Sequence, residues 1–201
     1  MLRMIYYLSM ITLYLTDISY IDTDDKKLLN MISADRRERI KKAVLPLKKK
    51  QLLGAGLLLR HALISSGLAP DTEIKRGNNG KPYADGINFS LSHSDKYVLI
   101  AVAGNEVGAD IEKIDENQNL SVSERLFDDR DLKDIDIHKF FSMFTRLESY
   151  GKMTGMGLFP AAKTPMNKIK NVYTYEFSGY SISVCTEKKE DIIYPPILLK
   201  F

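Results

Sequence analysis

Apolar residues in each half of the chain follow first a helical and then a strand period, and this alternation constrains the fold most. Residues 48–66 place leucines at helical spacing, and strand-like stretches follow at 87–92 and 97–103. Residues 137–153 form a second amphipathic pattern, and alternating stretches follow from about residue 170. The pattern predicts an α+β fold with two lobes that each contain a long helix and strands, although no internal sequence repeat is visible.

Shorter signals predict further elements. Residues 10–17 are rich in Ile, Leu and Thr and predict a first strand. Ser33 is expected to cap a helix within the polar stretch 23–43, and residues 121–133 are expected to be helical. Gly54-Ala-Gly56 lowers helix propensity, which indicates close packing against a neighbouring element.

The N-terminal segment is apolar but does not have the pattern of a leader peptide. Tyrosine, serine and threonine interrupt it, no small-residue cleavage site follows, and it is too short and polar to span a membrane. Met10 is an alternative start, with residues 1–9 as an upstream extension.

Composition excludes several classes of protein. The net charge of +3 is far below that of a dedicated nucleic-acid binder. A single cysteine, Cys185, rules out an internal disulfide, fits a reducing cytoplasm and lies in an alternating stretch that predicts a buried strand thiol. No two of the three histidines have metal-ligand spacing. The basic residues concentrate between Arg36 and Lys50, either on a solvated helix face or against an anionic ligand.

Two acids, Asp110 and Glu112, stand two residues apart in the strand-like Gly108-Ala-Asp-Ile-Glu-Lys113. Side chains at i and i+2 of a strand share a face, so the two carboxylates raise each other's pKa unless a cation compensates. They would either bind Mg²⁺, which prefers hard oxygen ligands, or face water on an exposed edge strand. Glu148 would supply a third acid from the helix at 137–153, or form an i,i+4 surface salt bridge with Lys152.

Phe89-Ser-Leu-Ser-His-Ser94 ends in small polar residues that could donate hydrogen bonds to a phosphate. No acid is placed to orient His93 against Ser92 or Ser94, so the sequence gives little support to a serine hydrolase. Lys81 adds a cation in the turn Gly80-Lys81-Pro82, which is not a P-loop.

Taken in order, these fragments resemble the successive motifs of the 4′-phosphopantetheinyl transferases, and most closely the long type that activates surfactin synthetase. The resemblance covers residues from about 10 to 185 and includes the basic helix 33–50. The motifs are Gly80-Lys81-Pro82, Phe89-Ser-Leu-Ser-His-Ser94, Gly108-Ala-Asp-Ile-Glu-Lys113, Phe144-Thr-Arg-Leu-Glu-Ser-Tyr-Gly-Lys152 and Gly155-Met-Gly157-Leu158.

The resemblance implies two similar α+β lobes related by a pseudo-twofold axis, with coenzyme A bound between them. The lobes would span residues 1–106, which contact the coenzyme A phosphates, and residues 107–201, which carry the metal and catalytic residues. It also implies transfer of the phosphopantetheine arm of coenzyme A to a serine of an acyl or peptidyl carrier protein, as in the holo-[acyl-carrier-protein] synthases, with release of 3′,5′-ADP.

The same resemblance implies roles for individual residues. Mg²⁺ would be held by Asp110, Glu112 and Glu148. Glu148 would also deprotonate the carrier serine, and Lys152 would stabilise charge on the pyrophosphate. Coenzyme A would be bound through five further side chains, Arg36, Lys50, Lys81, Ser92 and His93.

The chain departs from the family motif Trp-x-x-Lys-Glu, which here is Phe144-Thr-Arg-Leu147-Glu148. Leu147 is expected to remove a cation near the pyrophosphate, and a non-catalytic module that binds coenzyme A or a carrier protein is therefore an alternative. A Mg²⁺-dependent nuclease or other phosphohydrolase is a further alternative. We expect a cytoplasmic monomer that binds neither nucleic acid nor membranes.

Overall fold

Two larger sheets, each covered by one long helix, and one small two-stranded sheet make up the fold of the computed structural model, which describes residues 10–77 and 80–201. The strands are β1 Met10–Asp17, β2 Lys75–Arg76, β3 Pro82–Tyr83, β4 Asn88–Ser94, β5 Tyr97–Ala103, β6 Val107–Lys113, β7 Val172–Phe177, β8 Tyr180–Thr186, β9 Asp191–Ile192 and β10 Ile197–Leu199. The helices are α1 Lys26–Asn30, α2 Ala34–Lys42, α3 Pro46–Ser65, α4 Ser123–Leu126, α5 Ile137–Thr154 and α6 Leu158–Ala161.

The two sheets share one connectivity, and the mixed helix and strand content confirms the predicted α+β class. The first has the order β10-β1-β5-β4, and the second has the order β6-β8-β7. In each half the first strand is followed by a long helix and then by an antiparallel hairpin, β4–β5 or β7–β8. The last strand of each hairpin pairs antiparallel with the first strand of that half.

The end of the chain returns to the first sheet. Both β9 and β10 pair with β1 in parallel. Residues 191–199, which we assigned to the second lobe, therefore extend the sheet of the first half. The reason is that β1 offers both of these short strands an edge away from β5.

Three apolar clusters hold these layers together. The first lies between α3 and the first sheet, where Leu53 and Ile100 are fully buried. The second joins the two sheets face to face and includes Leu99 of β5 and Ile111 of β6. The third lies beneath α5 and contains Phe127 and the thiol of Cys185, which confirms the predicted buried strand cysteine. The layers therefore run helix, sheet, sheet, helix.

Glycines permit the closest approaches between helices and strands. A Cβ on Gly54 would lie 2.6 Å from Ile18 Cγ2, and one on Gly56 would lie 2.5 Å from Arg36 Cδ. These contacts confirm the predicted close packing of Gly54-Ala-Gly56. At Gly108 of β6, a Cβ would lie 1.9 Å from the carbonyl oxygen of Ser149 on α5. The α5 backbone therefore packs directly on β6 next to the two acids.

The structure agrees with most predicted elements. Residues 10–17 form β1, and Ser33 caps α2 by accepting a hydrogen bond from the Arg36 amide. Residues 121–133 were expected to be helical, which is wrong except for α4 and two short 3₁₀ turns. The reason is that Asn119 and Asp128 each accept a hydrogen bond from the amide two residues later, which competes with a continuous helix.

Within the described residues, no helix combines the length and the apolar content that crossing a membrane requires. The alternative start at Met10 concerns residues 1–9, which lie outside the described residues.

Adding a methyl group at Gly108 should separate α5 from β6. Since the clash is with backbone atoms of α5, Gly108→Ala should lower the free energy of unfolding by about 3 kcal/mol or more. The measurement is urea denaturation. Gly77→Ala is the control, because its nearest atom would be 3.8 Å away, and it should change the free energy of unfolding by less than about 1 kcal/mol. Equal effects of the two substitutions would contradict the close packing.

Candidate active site

Asp110 is the centre of a hydrogen-bonded cluster where β4, β6 and α5 meet. Its side chain is buried, with the residue only 2% exposed. Lys152 Nζ of α5 lies 2.6 Å from Asp110 Oδ1, and Ser92 Oγ of β4 donates to the same oxygen at 2.7 Å. Lys152 Nζ also donates to Ser92 Oγ at 3.0 Å. A buried carboxylate is thus neutralised by a lysine from the second long helix.

Two further acids lie beside this cluster. Glu112 follows Asp110 on the same face of β6, and Ser94 Oγ donates to Glu112 Oε2 at 2.8 Å. Burial and then the charge of Asp110 raise the pKa of Glu112 to about 7, against the opposing effects of Ser94 and Lys152. Burial and then Asp110 also raise the pKa of Glu148. The acids repel one another in a poorly solvated site, as the sequence predicted.

The simpler interpretations of these residues do not hold. Asp110 is buried, so the acids do not lie on an exposed edge strand. Lys152 pairs with Asp110 on a strand of the second sheet, and among the ion pairs of the described residues none joins it to Glu148. Glu148 and Lys152 instead both line one cavity.

This cavity has a volume of about 950 Å³ and contains both acidic and basic walls. The three acids lie on its wall together with Ser92 and His93. Cationic side chains make up much of the remaining polar lining: Arg36, Arg39, Lys48, Arg60, Arg76 and Lys152. A cavity with cations and clustered carboxylates suits a polyanion that arrives with a metal ion.

Arg36 is held in place by α2 and α3. Ser33 caps α2 and places Arg36 in the first turn, and Gly56 of α3 leaves room for its aliphatic part. Arg36 Nη1 donates to the carbonyl oxygen of Leu52 at 3.3 Å. Burial and then the charge of Arg39 lower the pKa of Arg36 to about 10. The positive charges of Arg36 and Arg39 are therefore not fully neutralised by neighbouring acids.

The other predicted phosphate contacts are placed differently. His93 lines the cavity with its Nε2 3.1 Å from Lys48 Nζ, and burial followed by the charge of Lys48 lowers the pKa of His93. Lys50 lies outside the cavity and donates to the carbonyl oxygen of Ser19 at 2.5 Å. Lys48, rather than Lys50, therefore faces the cavity, together with Arg36 and Arg39 from earlier in the same basic stretch.

Lys81 lies beside a second, smaller cavity of about 290 Å³, which also contacts Lys152. Its Nζ is 2.5 Å from Glu106 Oε2 and donates to the carbonyl oxygen of Met153 at 3.0 Å. These contacts hold Lys81 near the end of α5, and Lys81 does not line the larger cavity, although Pro82 of the same turn does.

The sequence analysis did not single out two arginines of the cavity. Arg60 lies on α3 one helical turn after Gly56, and the family resemblance included Leu59-Arg60 without giving Arg60 a role. The Nη1 atom of Arg60 is buried and finds no hydrogen-bond partner in the part of the chain that the structure describes. Arg76 comes from the short strand β2, and no local pattern marked it.

Leu147 is fully buried in the apolar cluster beneath α5 and does not line the cavity. The expectation that leucine here removes a cation near the ligand is therefore wrong, because this position of α5 faces the core. Glu148 and Lys152 occupy the cavity side of the same helix. The non-catalytic alternative, which rested on Leu147, loses its motivation.

The fit of a divalent metal ion can be judged from the donor set. Asp110 Oδ2 is buried and has no hydrogen-bond partner among the described residues, and the neighbouring carboxyl groups of Glu112 and Glu148 have raised pKa values. These are hard oxygen donors of the kind that Mg²⁺ prefers. Among the described residues, no group of three or more His, Cys, Asp or Glu side chains is gathered closely enough to hold a metal, and Lys152 neutralises Asp110 instead. Asp110, Glu112 and Glu148 are therefore suitable ligands for Mg²⁺ by the type of their donor atoms.

Comparison with known proteins gives one consistent result. No protein-family model matches the chain. The chain is 31% identical to the 4′-phosphopantetheinyl transferase gsp of Aneurinibacillus migulanus, with 68% of each protein covered. It is 28% identical to the 4′-phosphopantetheinyl transferase psf-1 of Bacillus pumilus, over 70% of this chain and 72% of that protein. It is 26% identical to the 4′-phosphopantetheinyl transferase ffp of Bacillus subtilis, over 82% of this chain and 86% of that protein.

Removing the charge of Lys152 should destabilise the metal-free protein. Lys152→Met leaves Asp110 buried without a counter-charge, so the free energy of unfolding should fall by about 2–3 kcal/mol. Adding Asp110→Asn should recover part of this loss, because a neutral amide needs no counter-charge. Urea denaturation without divalent ions measures both effects.

Lys168→Met, at an exposed position, is the matched control. The account of the buried pair is contradicted when Lys152→Met costs no more than this control, or when the two substitutions at the pair are simply additive.

Proposed function

The chain belongs to the 4′-phosphopantetheinyl transferase family, and on that premise we propose that it transfers the 4′-phosphopantetheine group of coenzyme A to a serine of an acyl or peptidyl carrier protein. The product besides the modified carrier is 3′,5′-ADP. The reaction would be that of a holo-[acyl-carrier-protein] synthase. The relatives described above are all transferases by name, and none of them supports a phosphohydrolase.

The observation that carries the proposal is the joint lining of one cavity by Asp110, Lys152 and the arginines. Coenzyme A carries a pyrophosphate and a separate 3′-phosphate. Lys152 and Ser92 offer donors beside the acids, while Arg36, Arg39 and Arg76 form a separate cationic group. Two groups of phosphate oxygens would thus find two groups of cationic donors.

Mg²⁺ would be held by Asp110, Glu112 and Glu148. The buried and unpartnered Asp110 Oδ2 supports this assignment, as do the raised pKa values of the two glutamates. When bound, the ion supplies positive charge to the pyrophosphate oxygens. Lys152 neutralises Asp110 in this structure, and its ammonium group lines the same cavity, where it would bind phosphate oxygens.

The residues of the chain then have separate roles. Arg36, Ser92 and His93 bind phosphate oxygens, and Lys152 stabilises charge on the pyrophosphate. Glu148 accepts the proton of the carrier serine, and burial followed by the charge of Asp110 raises the pKa of this carboxyl, which makes it a stronger base. The serine oxygen forms a bond to the phosphorus that bears pantetheine, and the bond from that phosphorus to the bridging oxygen breaks. The electron pair leaves with 3′,5′-ADP.

The proposal also includes two further lysines, the relation between the lobes, the partner and the location of the protein. Lys50 and Lys81 are proposed coenzyme A contacts, and each would have to leave its present partner, the Ser19 carbonyl oxygen or Glu106. The common connectivity of the two sheets supports lobes related by a pseudo-twofold axis. The carrier protein as partner, the monomeric state and the cytoplasmic location are proposed from the family.

Intact-mass spectrometry of apo carrier domains tests the function. Incubation with coenzyme A, Mg²⁺ and the purified chain should add the mass of one phosphopantetheine group. Asp110→Asn should slow this addition by about 100-fold or more, because it removes charge beside the pyrophosphate. Asp24→Asn, at an exposed position outside the cavity, should leave the rate unchanged.

Two results would reject the proposal. One is binding of coenzyme A with no modification of any acyl or peptidyl carrier domain. That result would favour the alternative of a non-catalytic binding module. The other is divalent-dependent hydrolysis of phosphoesters without coenzyme A.

A further inference from the structure

The strands β4 and β6 are edges of two different sheets that face each other at the candidate site. Among the described strands, β4 pairs only with β5 and β6 pairs only with β8, so each strand has one edge without a strand partner. Within residues 10–77 and 80–201, no backbone hydrogen bond joins β4 to β6. Facing edges need other partners for their polar groups. Three serine hydroxyls provide them.

The three serines alternate along β4 and therefore share one face of the strand. Ser90 Oγ accepts a hydrogen bond from the Ala109 amide at 2.9 Å. Ser94 Oγ accepts one from the Lys113 amide at 3.0 Å. Ser92 Oγ, between them, donates to Asp110 Oδ1 at 2.7 Å. The serines thus bridge the two sheets where a backbone ladder is absent.

Ser94 makes one hydrogen bond to an acid that Ser90 does not make. Both hydroxyls accept from an amide of β6, but Ser94 also donates to Glu112 Oε2 at 2.8 Å. Glu112 comes directly before the residue whose amide Ser94 accepts. One hydroxyl therefore fixes both the backbone of β6 and the side chain of its second acid.

We propose that Ser94 is a positioning residue that holds the Glu112 carboxylate in place for a divalent cation. This inference rests on the proposed function, because it concerns the cation that Asp110, Glu112 and Glu148 would hold. A free glutamate side chain loses rotamer freedom when it binds an ion. With Ser94 in place, Glu112 is already restrained before the ion arrives.

The expected consequence is specific to the metal. Loss of a residue that orients a metal ligand typically weakens metal binding by about 10–100-fold. Ser94 lies outside the lining of the large cavity, so its loss should leave binding of coenzyme A unchanged. If Ser94 had only a structural role, its loss would weaken the binding of both the metal ion and coenzyme A.

The experiment compares Ser94→Ala with the matched control Ser90→Ala. Each variant loses a hydroxyl that accepts from a β6 amide, but only Ser94→Ala loses a bond to an acid. Mn²⁺ binding to the full chain without coenzyme A is measured by electron paramagnetic resonance. Coenzyme A binding is measured separately by calorimetry, and thermal unfolding checks that both variants fold.

We expect Ser94→Ala to raise the dissociation constant for Mn²⁺ by about 10-fold and Ser90→Ala to change it by less than about 2-fold. Ser94→Thr keeps the hydroxyl and should restore Mn²⁺ binding. Equal shifts in the two alanine variants, or no shift in Ser94→Ala, would overturn the role of Ser94. Absence of Mn²⁺ binding to the unmodified chain, with or without coenzyme A, would overturn the proposed metal site itself, and the role of Ser94 with it.

Discussion

The pairing of Asp110 with Lys152 is the interaction on which the arrangement of this protein depends. A carboxylate that is 2% exposed needs a nearby cation, and the cation comes from a helix more than forty residues later in the chain. The contact requires α5 to lie directly on β6, which Gly108 permits. Ser92 adds the neighbouring sheet to the same cluster. The buried ion pair, the close packing of α5 on β6 and the hydrogen bond from β4 therefore all lie at the junction of the two sheets and α5.

The charged residues of the cavity form two groups, one acidic and one basic, and each lacks sufficient opposite charge nearby. On one wall, burial and mutual repulsion raise the pKa values of Glu112 and Glu148. On another, burial and neighbouring arginines lower the pKa of Arg36. Acids that lack a cation and arginines that lack an anion are stabilised together by a metal ion and a polyphosphate. This complementarity links the geometry to the phosphopantetheinyl transfer that we propose.

The sequence predicted the elements with strong periodicity and the residues that local patterns mark. The bounds of β1 follow from its content of Ile, Leu and Thr, and the common face of Asp110 and Glu112 follows from strand alternation. The helix expected at 121–133 was wrong because side-chain hydrogen bonds from Asn119 and Asp128 favour turns. No local pattern showed that Lys48 rather than Lys50 faces the cavity, or that serines of β4 bridge to β6. These features depend on how distant elements pack.

The central claim is that the acids hold a divalent ion against the pyrophosphate of coenzyme A. Phosphorus NMR of coenzyme A bound to the protein, with Mn²⁺ as a paramagnetic substitute for Mg²⁺, tests this directly. We predict that Mn²⁺ broadens the pyrophosphate resonances much more than the 3′-phosphate resonance, and that Asp110→Asn removes the difference. Equal broadening of all the phosphorus resonances, or a pattern unaffected by Asp110→Asn, would contradict the account.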